Sequence, residues 1–102
     1  MPWFIKKEVF TKSAKKLSNE RRKEYIKLHI AWADAMRAKS IRIYSGYLID
    51  RNRKPGGGGL LIFHAKSYEE AEKIVQNDPM ISSGLVEWDL HEWNLIAGDK
   101  IG

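Results

Sequence analysis

The strongest constraint on this chain is the way its hydrophobic periodicity switches between two and about 3.6 residues. Residues 3–10 alternate, with Trp3, Ile5 and Val9 on one parity and Phe4 and Phe10 on the other, which predicts a strand. Residues 11–17 form a basic connector. Residues 18–39 carry Tyr25, Leu28, Trp32, Ala35 and Met36 at helical spacing, with Ser18 or Asn19 as the cap. Residues 41–49 alternate again, placing Ile41, Ile43, Ser45, Tyr47 and Ile49 on one face. A polar loop over 50–59, ending in four glycines, leads to a short apolar strand, Leu60-Leu61-Ile62-Phe63. Ser67 and Glu70 form a capping box that opens a helix over 67–77. That helix ends at Asp78-Pro79, because proline has no N–H and disfavours a helical residue before it. Residues 84–96 read as a final strand. Its apolar parity changes between Val86, Trp88, Leu90 and Trp93, Leu95, which predicts a bulge or a change of partner near His91-Glu92.

The order strand, helix, strand, strand, helix, strand points to an α+β fold. Two right-handed βαβ halves give a ferredoxin-like four-stranded antiparallel sheet with two helices on one face. At 102 residues the chain is one domain, 1–102. Two helices cover only one sheet face, yet both parities carry large apolar groups. An uncovered apolar face is a contact surface, so a second copy, related by two-fold symmetry, is the expected cover.

Composition narrows the function classes. There is no cysteine, so disulfides and thiolate chemistry are excluded. No apolar run approaches membrane-spanning length, and the opening residues lack the order of a signal peptide; the cytoplasm is the expected compartment. Charge is uneven. Residues 1–54 hold 15 Lys and Arg against 5 Asp and Glu, and residues 55–102 hold 3 against 8. Such asymmetry is ordinary when both halves fold into one domain, and an anion-binding surface is the other reading. Sequence-specific RNA reading needs stacking aromatics on the third strand, where only Phe63 is aromatic; nucleic acid is therefore not an expected partner. The glycine run lacks the Lys-Ser/Thr and the helix of a phosphate loop, and reads as a flexible hairpin. His29, His64 and His91 have no metal-ligand spacing, and no cofactor motif is present.

The candidate chemistry rests on few residues. Asp78 holds a carboxylate at a rigid corner. His29 follows Leu28 and so borders the apolar stripe of the first helix. An imidazole oriented by a carboxylate moves protons near neutrality; the alternative is that His29 packs and Asp78 merely caps its turn. Ser45-Gly46 lies within a strand, where glycine marks a bulge or close approach and the serine can hydrogen-bond a ligand. The context of a nucleophilic serine is missing. Trp32 and Met80 complete the expected pocket wall, although tryptophans more often pack cores and dimers.

These elements together resemble the YciI-like (YCII-related) family of the dimeric α+β barrel superfamily. The resemblance is carried by Trp3-Phe4-Ile5, His29, Ser45-Gly46, the glycine-bounded third strand, Ser67-Tyr68-Glu69-Glu70-Ala71, and Asp78-Pro79 with Gly84-Leu85. It runs over roughly residues 2–96. It implies a homodimer joined through its sheets and a cleft beside the first helix where His29 and Asp78 work together. The expected function is binding of a small organic molecule, an anion among the candidates, with proton transfer or elimination at the His-Asp pair. The alternative is a non-enzymatic accessory or regulatory binding module in which that pair is structural.

Overall fold

The computed structural model describes residues 2–99. Strand β1 (Trp3–Phe10) pairs with β3 (Pro55–His64) on one side and β4 (Val86–Trp93) on the other, and β3 pairs with β2 (Ile43–Ile49). All pairings are antiparallel, and the order β2-β3-β1-β4 is that of the expected ferredoxin-like sheet. The long helices α2 (Asn19–Ala38) and α3 (Tyr68–Gln76) are capped by the hydroxyls of Ser18 and Ser67, which accept the N–H groups of Arg21 and Glu70. Among the described residues no helix is long and apolar enough to cross a membrane.

Register decides which residues meet. Phe4 lies directly across from Phe63, and their rings stand 6.0 Å apart. Phe4, Leu61, Phe63, Ile43 and Leu90 form the sheet side of the core. Ala71 and Val75 of α3 close it, with Trp32 and Met36 of α2 packed against it. The opposite sheet face carries Trp3, Ile5, Leu60, Ile62 and Trp93, all only partly covered, beside exposed Tyr44 and Leu48.

Four local expectations are corrected. The connector holds a one-turn helix, α1 (Lys12–Lys15), because the Thr11 hydroxyl accepts the Ala14 N–H. The glycines are not loop: Pro55–Gly59 is the start of β3, and the turn is carried by Asp50, whose carboxylate accepts the N–H groups of Asn52 and Lys54. The register of β4 runs unbroken from Val86 to Trp93, and the irregularity falls instead between Tyr47 and Ile49 of β2. Finally, the buried seam of α2 is rotated from the expected stripe. Leu28 is exposed and His29, Trp32, Ala33 and Met36 face inward, so His29 stands in the seam rather than at its border.

Glycine is required in β3 because Glu8 of β1 lies against it. A β-carbon at Gly58, which has φ +83°, would stand 2.2 Å from the Glu8 carbonyl oxygen. One at Gly59 would stand 2.9 Å from the Glu8 side chain.

Candidate functional site

The site is built outward from a buried lysine. Lys6 shares the helix-facing parity of Phe4 and is fully buried. An ammonium there costs several kcal/mol unless paired. Two carboxylates pair it: Glu8 Oε1 at 2.6 Å and Asp78 Oδ2 at 3.2 Å. Asp78 is itself fully buried. The chain delivers it there because α3 ends at Asn77 and a one-turn helix, α4 (Pro79–Ser82), begins at once. Pro79 takes the first helical position, where no N–H is needed. Asp78 caps the turn, its Oδ1 accepting the Met80 N–H at 3.0 Å.

The same Oδ1 lies 2.8 Å from His29 Nδ1. Burial alone would raise the Asp78 carboxyl. The hydrogen bond from His29, the Lys6 charge, the His29 charge and the Met80 N–H outweigh it and hold the group below its ordinary value. A carboxylate only accepts, so the proton on this bond belongs to His29 Nδ1. With the ring neutral, Nε2 is bare and accepts the Ser45 hydroxyl, whose Oγ lies 2.7 Å away. One continuous network thus runs from Glu8 and Lys6 in the core through Asp78 and His29 to Ser45 at the surface.

Ser45 opens onto a cleft of about 390 Å³ between α2 and β2. Ile30, Ala33 and Ile43 supply its apolar wall, Tyr44 its rim, and Asp34 with Arg37 its end away from His29. The Asp34–Arg37 pair is long, 3.6 Å, and exposed, so solvent screens it. Among the described residues no three His, Asp or Glu side chains stand together as a metal site.

The fold brings His29, Asp78 and Ser45 together. Trp32 stands beside the imidazole, ring centroids 5.7 Å apart, and its buried Nε1 has no hydrogen-bond partner among the described residues. Met80 is buried, and its contribution is its backbone N–H. Gly46 alternates onto the other sheet face, with nothing within 4 Å of where a β-carbon would stand. Sequence reasoning missed Lys6 and Glu8. The signal was present: both share the parity of Phe4 and Phe10, and a charge on an apolar parity is either at an edge or paired inside.

A model of the YCII-related domain matches residues 7–94. No curated protein matches the chain. In structure, the chain is similar to 5-chloro-2-hydroxyhydroquinone dehydrochlorinase of Burkholderia phenoliruptrix in complex with 2,5-dihydroxybenzoquinone. The identity is 23%, 92% of this chain and 94% of that one are covered, and the TM-score is 0.66. It is also similar to the protein At3g17210 of Arabidopsis thaliana, at 12% identity over 98% of this chain and 100% of that one, with a TM-score of 0.55.

Proposed function

The chain belongs to the YCII-related domain family, and from that premise we propose that it binds a small organic molecule in the cleft beside α2 and moves a proton on it with His29. The observation that carries this reading is the 2.8 Å bond between His29 Nδ1 and a fully buried Asp78. Asp78 fixes which ring nitrogen is bare and stabilises the imidazolium that forms when Nε2 takes a proton. His29 is the base when Nε2 takes the proton and the acid when it gives it up, to another atom of the same molecule in isomerisation or to solvent as a chloride leaves in elimination. That a protein of this fold is a dehydrochlorinase, and is seen with a dihydroxyquinone, supports the class of ligand and of chemistry.

The reading extends to a homodimer. Trp3, Ile5, Leu60 and Ile62 leave an apolar sheet face partly uncovered, and a second copy would bury it by the same interface on both protomers.

The test is turnover of chlorinated hydroxyquinols, followed by chloride release, in the wild type, His29→Gln and Asp78→Asn. The expected result is a loss of about 100-fold or more with His29→Gln. Asp78→Asn loses comparably, through the wrong tautomer. Undiminished turnover in His29→Gln would place the chemistry elsewhere.

A further inference from the structure

The buried network holds more charge than a hydrogen bond between His29 and Asp78 requires. Lys6 Nζ stands 3.2 Å from Asp78 Oδ2, the oxygen that His29 does not use. Both Lys6 and Asp78 are fully buried. Taken alone, that lysine works against the imidazole. It cancels the charge of Asp78, and an imidazolium would then be an uncompensated cation on a side chain only 13% exposed. Glu8 removes the conflict. Its Oε1 lies 2.6 Å from Lys6 Nζ, a charge-assisted bond. One ammonium between two carboxylates leaves a single negative charge on the cluster, and an imidazolium at His29 brings it to neutrality. Glu8 does not line the cleft of His29. Its other oxygen, Oε2, is buried with no hydrogen-bond partner among the described residues, so its charge is held by Lys6.

We propose that Glu8 is a positioning residue for the acid–base centre: acting through Lys6 and Asp78, it supplies the negative charge that balances the imidazolium of His29. The proposal rests on the acid–base reading above and adds to it how a site this buried holds the second proton. No bond is made or broken at Glu8. The other groups that face His29 do not fill this role. Helix α4 brings no charged side chain beyond Asp78 at its cap, and β2 brings the hydroxyls of Tyr44 and Ser45. Asp34 and Arg37, at the far end of the cleft, are exposed and offset each other 3.6 Å apart. The charge count gives the effect a sign that packing does not produce. Neutralising Glu8 weakens His29 as a base. Neutralising Lys6 as well restores it, because Asp78 then faces the imidazole with its whole charge.

The test follows the imidazole signals of His29 by NMR from about pH 5 to about pH 8 in the wild type, in Glu8→Gln and in Lys6→Met/Glu8→Gln. Glu8→Gln keeps the shape of the side chain and leaves Lys6 paired with Asp78. Replacing both members of a buried pair with neutral side chains of similar size is tolerated, so the double variant should fold. The expected result is that His29 binds its proton at least about threefold more weakly in Glu8→Gln than in the wild type, and that the double variant returns toward the wild type. In all three proteins Nδ1 should keep the signal of a protonated nitrogen, which reports an intact bond to Asp78, and the exposed His91 should titrate alike. An unchanged His29 in Glu8→Gln overturns the proposal, as does a double variant weaker than the single one. So does a weakening that comes with loss of the Nδ1 signal, which would make Glu8 a packing residue. None of these outcomes touches the acid–base reading, which stands or falls with turnover in His29→Gln.

Discussion

Lys6, Asp78 and His29 form a chain of charge in which each member makes the next tolerable. Lys6→Met would leave the inward-facing Glu8 and Asp78 with one cation fewer, and removing one partner of a buried pair costs about 3 kcal/mol. Chemical denaturation should show that loss, and a smaller one for Glu8→Gln, because Asp78 still pairs the lysine. Asp78 also makes stability depend on pH. Its carboxyl is held below its ordinary value in the folded protein, so the unfolded chain binds the proton more readily. The stabilisation is therefore complete above the unfolded value of about 3.9 and is lost as pH falls through the folded one. Asp78→Asn should lower stability at neutral pH and flatten the fall in stability below about pH 4; an acid limb as steep as that of the wild type would contradict this. At this scale the sequence showed Asp78, His29 and Ser45 as candidates but not their contact, because nothing in a linear pattern states that the end of α3 returns beside the middle of α2. Lys6 was legible only through parity, and charge obscured it: a lysine in a strand is ordinarily read as solvated.

Among the elements, β3 is the one whose sequence misleads. A run of glycines bounded by proline reads as loop, since glycine weakens strands. Here Gly59 leaves room for the Glu8 side chain of β1, Gly58 for the Glu8 carbonyl and Gly57 for Leu48 of β2. Glu8 is in turn held by Lys6, so the flat stretch of β3 is part of what seats the buried network. Gly58→Ala forces a β-carbon toward the Glu8 carbonyl at a positive φ. It should destabilise the protein by at least about 1 kcal/mol, seen as a lower midpoint of thermal unfolding. A midpoint equal to the wild type would mean that this approach is not tight. The helix caps were legible for the opposite reason: Ser18 and Ser67 act on residues three positions away, and local chemistry is written locally. The seam of α2 was not, because its apolar residues run all round the helix, with Ile26, Leu28 and Ile30 exposed. Only the packing of α2 against α4 and β2 decides which side is in.

For the whole molecule, the order of periodicities was enough to give the sheet and its two covering helices. What it could not give is the state of the second face, since the same apolar residues serve a dimer or a bare surface. A solution mass of twice the 11.8 kDa protomer is the expected outcome, and Ile62→Glu, on that face, should return the protein to a monomer without unfolding it. A wild-type monomer at micromolar concentration would contradict the interface. The cleft lies between α2 and the helix-facing Ile43 and Ser45 of β2, and only Tyr44 at its rim belongs to the proposed interface face. The central claim is that this cleft delivers a ligand proton to His29. It is tested most directly by titrating para-cresol, a phenol that keeps its proton at about pH 8, into the protein and following the imidazole nitrogen signals of all three histidines by NMR. The account predicts that His29 Nε2 moves toward the position of a protonated nitrogen while Nδ1 keeps its proton, and that His64 and His91 stay still. An unmoved His29, with the cresol bound, would contradict it.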